Sequence, residues 1–255
     1  MSRVPGGEFF DVGTGGVLRL ELRSVDGRDF SLLRRFGYRS PDHREAFVVP
    51  ADLDSFTTDL ASVPHLFTWL VPVSGEFLPA AVLHDALVRT AAHEGPQVDR
   101  HEADRIFREA MVGLGTGRVR AWLMWAAVTL GTLWAGRDPW HRTRLVVVLG
   151  LVAAVGVLAT LDFFDVLDVL PWMGGRPWPQ ELLLGALFAV LIPSVLALSW
   201  GRYWRAGVIS GVALALLLHV TVVLLVLYGG YQLLERLVSG PTDRRGVRTQ
   251  DLGEA

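Results

Sequence analysis

Three long stretches of this chain carry no formal charge: Leu145–Leu161, Leu182–Trp200 and Ala206–Leu234, of 17, 19 and 29 residues. A helix needs roughly 20 apolar residues to cross the ~30 Å hydrocarbon core of a bilayer. The second and third stretches reach that length. The first reaches it once it is extended past Asp162 through Phe163 and Phe164. Five of the nine Trp (Trp140, Trp172, Trp178, Trp200, Trp204) flank these stretches together with Tyr203, Tyr228 and Tyr231. Aromatic rings collect in this way at headgroup depth. A buried helix of a soluble bundle normally keeps a polar stripe, and no charged stripe is present. The sequence predicts three transmembrane helices, at about 144–164, 181–200 and 206–228.

Arginine placement then sets an orientation. Arg137, Arg142 and Arg144 precede the first span and Arg202 and Arg205 fill the second loop, whereas the loop at 165–180 has only Arg176 beside Asp165 and Asp168. Arg-rich sides stay cytoplasmic, so the amino-terminal part is expected inside and the 165–180 loop outside. The tail carries Arg236, Arg244, Arg245 and Arg248 and falls outside, against that rule. A fourth span at Ala121–Gly136 would remove the conflict, but its 16 residues reach only about 24 Å. Three spans are the preferred count. The opening residues contain no apolar core of the kind a cleavable signal needs.

Ahead of the spans the charges are dense: residues 1–143 hold 16 Arg and 18 acidic residues, against 8 and 8 in 144–255. Residues 1–136 are expected to form an α+β domain, 137–236 a membrane domain, and 237–255 a disordered polar tail. Leu18, Leu20 and Leu22 alternate with Arg19, Glu21 and Arg23, which predicts a half-buried strand over Val17–Arg23. Asp26-Gly27 signals a turn, with a return strand over Phe30–Tyr38 and a third over Phe47–Pro50. Helices are expected at about Pro79–Ala92, Val98–Leu114 and Ala121–Trp134, the first two forming a hairpin beside a small sheet.

Composition excludes several chemistries. There is no Cys, so disulfides, zinc–thiolate sites, iron–sulfur clusters and thiol nucleophiles are absent. All 24 basic residues are Arg, which removes lysine Schiff bases and the lysine-dependent phosphate loop. A net charge of −2 gives no field to attract nucleic acid, and none is expected as a partner.

Polar residues interrupt apolar surroundings at three places. Asp59 lies in Thr57-Thr58-Asp59-Leu60-Ala61-Ser62-Val63-Pro64, where it could present a carboxylate or cap a turn through Ala61 or Ser62. His84 and Asp85 sit within Ala80–Leu87; Asp85 could pair with Arg89 four residues on. His101 and Asp104 share a face of the next helix. In a helical hairpin, His84, Asp85 and Asp104 can meet near Asp59. One imidazole among carboxylates suits Zn, Mn or Mg, with His84, Asp85 and Asp104 as ligands. It suits equally an acid–base network with Asp59, His84 and Asp85 as catalytic groups. In the spans, Gly207 and Gly211 form a GxxxG that could pack helices within the chain or between copies in a homo-oligomer. His219 lies mid-span, read as a neutral imidazole bonded to another helix.

The runs Phe56–Pro64, Ala80–Asp85 and Ala103–Met111, in this order, resemble an uncharacterised phage and bacterial family known as domain of unknown function 1353. The resemblance covers roughly residues 10–136 and falls on Asp59, Ser62, Pro64, His84, Asp85 and Asp104. It implies a closing helix like Val119–Trp134 within the domain, and no activity. The reading is therefore a multi-pass protein of a bacterial inner membrane, in contact with the bilayer, with its amino-terminal domain in the cytoplasm. That domain would be either hydrolase-like, with a divalent metal or acid–base site, or a non-enzymatic, prophage-derived interaction module.

Overall fold

In the computed structural model, residues 7–26, 29–60, 75–89, 91–136 and 138–239 are described. Six short strands come first: β1 (Glu8–Asp11), β2 (Leu22–Ser24), β3 (Phe30–Leu32), β4 (Phe36–Arg39), β5 (Phe47–Val49) and β6 (Thr57–Thr58). Helices follow: α1 (Leu78–Leu87), α2 (Arg100–Gly113), α3 (Arg118–Ala135), α4 (Pro139–Phe163), α5 (Trp178–Ala197) and α6 (Trp204–Ser239), with a 3-10 turn over Leu198–Tyr203. The class is mixed α+β, as the patterns predict. The chain forms two compact units, residues 1–98 with 223–255, and residues 99–222.

In the first unit, one small sheet becomes two antiparallel three-stranded sheets, ordered β1-β4-β5 and β2-β3-β6. The strand expected over Phe30–Tyr38 is split between them. Leu33 N–H still bonds in register with β2, to Glu21 O (2.9 Å), before the chain crosses over, and the Arg35 side chain donates to Pro50 O (3.0 Å). The strand expected at Val17–Arg23 is laddered only at its end, although Leu18, Leu20 and Leu22 are more buried than the charged residues between them. Large side chains of β4 and β5 (Phe36, Tyr38, Phe47, Val49) fill the core with Phe77, Val82 and Leu83 of the α1 region. Gly37 is needed here, because a Cβ would collide with the Phe10 ring at 2.1 Å. Helix α1 stops at Leu87 rather than Ala92. Beyond it the backbone bonds back to the β5 region, Ala51 N–H to Ala92 O and Val48 with Glu94 in both directions (each 2.9 Å).

In the second unit, α2 starts where Asp99 accepts the Glu102 amide (2.7 Å), and α4 where Asp138 accepts the Trp140 amide (3.0 Å). Asp and Asn side chains are favoured at such positions because they satisfy amides that have no partner in the first turn. Helices α2 and α3 pack through Ala103, Ile106, Phe107, Ala110, Met111, Ala121 and Met124. The connection from α4 to α5 is tied down by Asp162, which accepts the amides of Val169 (3.0 Å), Leu170 (2.8 Å) and Gly174 (2.9 Å).

Among the described residues, two helical stretches are long and apolar enough to cross a membrane: α4, and the run Trp178–Val238. That run contains α5, the 3-10 turn and α6, and only 6% of its most apolar part is buried. Three clearly separate spans are thus not what the helices themselves delimit. The run is interrupted at Gly201, whose φ of 59° and ψ of −124° are non-helical. Residues 237–239, expected in a disordered tail, continue α6; the rest of that expectation lies outside the described residues.

Candidate functional site

Asp59, His84 and Asp85 all belong to the first unit. Asp59 follows β6 on an exposed turn, where Leu60 takes a φ of 63° and its amide donates to the Thr58 hydroxyl oxygen (3.0 Å). Its expected cap contact to Ala61 or Ser62, like the family positions Ser62 and Pro64, lies outside the described residues.

The side chain at the centre of this group is Asp85. Its carboxylate pairs with Arg89 one helical turn on (2.9 Å), and the buried Thr58 side chain hydrogen-bonds to it. Arg89 also donates to Thr57 O (2.5 Å) and lies over the Phe56 ring, so one guanidinium joins the end of β6 to α1. Burial pushes the Asp85 carboxyl above the ordinary carboxylate value, and the negative charge of Asp59 adds to that push. The Thr58 hydrogen bond opposes it most, followed by the electrostatic influence of Arg89 and then of the His84 ring. Asp85 is thus a carboxyl with opposing influences on its proton, coupled to a second carboxylate and an imidazole.

Asp104 sits in the second unit. It is 1% exposed on α2 and accepts the Thr132 hydroxyl of α3 (3.3 Å). Its α2 neighbour His101 stacks edge-on against Tyr203 (5.6 Å between centroids). Among the described residues no group of three or more His, Asp or Glu side chains is arranged to hold a metal ion.

Two contributors escaped the sequence reading. Thr58 was legible only as a neighbour of Asp59, since nothing in the local pattern says which of two adjacent threonines turns inward. His93 is buried at 4% exposure, and its ring nitrogens lie near Ala86 O (3.3 Å) and Pro96 O (3.1 Å). It fastens the chain after α1 to the end of that helix. In the apolar helices, Gly207 faces Ala197 and Trp200, and Gly211 faces Pro193, so the GxxxG packs within the chain. His219 bonds to Thr160 of α4, the partner type expected of it.

No curated protein and no solved structure matches the chain. A family model does match, over residues 30–128, from β3 into α3 and ending before α4. Its description is protein of unknown function (DUF1353), and this part of the chain belongs to that family.

Proposed function

We propose that this protein spans a bilayer three times and holds its DUF1353 domain against the cytoplasmic face, where Asp59, His84 and Asp85 form a hydrolase-like acid–base site. The observation that carries the membrane half is the exposed apolar surface of α4, α5 and α6. Leu182, Leu183, Leu187, Val190, Val195, Leu216, Val223 and Leu227 all face outward. Soluble proteins rarely leave a contiguous apolar patch beyond a few hundred Å². Lipid is the solvent in which such helices need no further cover. The break at Gly201 divides the long run into two spans. Arg144 donates to Ser199 O (3.2 Å), so the start of α4 and the α5–α6 turn share one end, the Arg-rich one.

For the domain, Asp85 supports an acid–base reading. A carboxyl whose pKa burial raises holds its proton more readily than a free one and can deliver it, with His84 or Asp59 taking it back. Asp104 is engaged with Thr132, and among the described residues no three ligands converge, so of the two forms of the site we propose the acid–base one. A second reading, a non-enzymatic interaction module, is favoured by Arg89, whose bonds to Asp85 and Thr57 O make the cluster a brace between β6 and α1.

Melting of the full chain in detergent, wild type against Asp85→Asn, separates the two. A residue kept for proton transfer is held against its own preference, so Asp85→Asn should melt at or above the wild-type temperature at neutral pH. A fall of several degrees would mark the brace as the reason for the cluster. The membrane half is tested by protease added to spheroplasts, which should spare residues 1–136. Release of the chain from membranes by carbonate would refute it.

A further inference from the structure

Between α3 and the start of α6 lies a groove of about 540 Å³, lined by Val119, Trp122, Leu123, Trp204, Val208 and Ile209, with Arg205 at its edge. Beneath it Trp125, Ala126 and Ala206 pack closely and hold the two helices together. The groove stays open to the outside, and Val119 is 76% exposed. Its volume lies in the range of small-molecule sites.

The rim is cationic. Arg108 of α2 lies over the face of Trp122, 4.2 Å from the ring centroid. Burial lowers the pKa of its guanidinium, Arg105 and Arg205 push the same way, and Glu109 opposes them. Arg108 is 3.5 Å from Glu109, but that carboxylate binds Arg105 more closely (2.9 Å). Arg205 is exposed, lies over the Trp204 ring, and makes no ion pair among the described residues. Two guanidinium groups, each laid over an indole that lines the groove, thus flank one apolar surface. A bound anion would neutralise them. A purely soluble anion would leave the six apolar side chains uncovered.

We propose that this groove binds an anionic phospholipid, its phosphate between Arg108 and Arg205 and one acyl chain along Trp122, Leu123, Val208 and Ile209. The inference rests on the membrane reading above. Arg205 belongs to the Arg-rich end of the spans, and the cytoplasmic leaflet is where anionic lipids concentrate.

The test is lipid selectivity of the full chain reconstituted in phosphatidylcholine vesicles. Electron spin resonance would compare the motionally restricted fraction of spin-labelled phosphatidylglycerol with that of spin-labelled phosphatidylcholine. Wild type should prefer phosphatidylglycerol. Arg205→Gln and Arg108→Gln should each weaken the preference about fivefold, as expected for one interfacial arginine. Arg202→Gln should retain it, because Arg202 bonds to the Tyr203 hydroxyl and lies over the Tyr203 ring, which is not part of the groove, whereas Arg108 and Arg205 lie over Trp122 and Trp204, which are. Arg205 is on the surface, so its variant decides the matter even if Arg108→Gln misfolds. Equal restriction of both lipids by wild type overturns the site. An equal loss in Arg202→Gln also overturns it, since a diffuse positive surface would then account for the preference. Competition by glycerol phosphate at millimolar concentration would assign the arginines to a soluble ligand and overturn the lipid. A chain that does not float with phosphatidylcholine vesicles refutes the membrane reading and this one together. A chain that floats without preference refutes only the lipid site.

Discussion

Leu83 and Leu187 are the same residue in apolar helices of one chain, yet Leu83 of α1 is 0% exposed and Leu187 of α5 is 54% exposed. The contrast extends to both helices. Helix α1 is ten residues long, too short to cross a bilayer, and buries Ala80, Ala81, Val82, Leu83, Ala86 and Leu87 inside its unit. Helix α5 is twenty residues long and leaves most of its leucines outside. An apolar helix must hide from water: α1 does so in protein, and on the membrane reading proposed above α5 does so in lipid.

The sharpest way to break this comparison is truncation. Leu83→Ala should destabilise the protein by about 2–5 kcal/mol, the range for emptying a closed core site. Leu187→Ala should change stability in detergent or bilayer by less than about 0.5 kcal/mol, because solvent fills the space. Denaturant unfolding of both variants measures this, and comparable losses would mean that α5 is buried against protein.

Glycines along α6 sharpen it at one remove. A Cβ on Gly211 would stand 2.7 Å from the Pro193 Cβ, whereas one on Gly229 meets nothing within 4 Å. Gly211→Ala should cost about 1–3 kcal/mol through overpacking. Gly229→Ala should be neutral or stabilise by up to ~1 kcal/mol through helix propensity. A reversed order would place the seam between helices elsewhere.

The smallest effects concern two carboxylates of the first unit with opposite environments. The Thr14 amide (2.8 Å), the Thr14 hydroxyl (3.0 Å) and Arg34 (3.6 Å) hold the Asp11 carboxyl below the ordinary range, the Thr14 amide most of all. Stability from Asp11 is therefore present above its unfolded value of 3.8 and is lost as pH falls through the lower folded value. For Asp85, raised chiefly by burial, the sign reverses: stability is full below 3.8 and declines as pH rises through the folded value. Melting curves across the acidic to neutral range should show Asp11→Asn lagging wild type at neutral pH and converging with it in acid. Asp85→Asn should gain on wild type as pH rises. Parallel curves for the two variants would contradict the assigned environments.

How much of this was legible in the sequence follows from the range of each determinant. The start expected for α2 falls within two residues of the observed one, which Asp99 caps locally, whereas the equally local Asp138 cap, which starts α4 ahead of the expected span at 144, escaped the sequence reading. The long apolar runs are readable because they too are local. Strands of two to four residues are not, because their partners are distant in sequence. Nothing in Phe30-Ser31-Leu32-Leu33-Arg34-Arg35-Phe36 announces that the chain leaves one sheet for another between Leu33 and Phe36. In the candidate site, the family motif marked Asp59, His84 and Asp85, but the inward turn of Thr58 depends on tertiary burial.

The Asp162 carboxylate also bears on the order in which the helices assemble. Closing a loop carries an entropic penalty that must be met before later contacts form. With three amides gathered on one side chain, residues 165–174 close without help from outside the hairpin. Helices α4 and α5 can then travel as one preassembled piece, which offers Pro193 and Ala197 to Gly211 and Gly207 of α6.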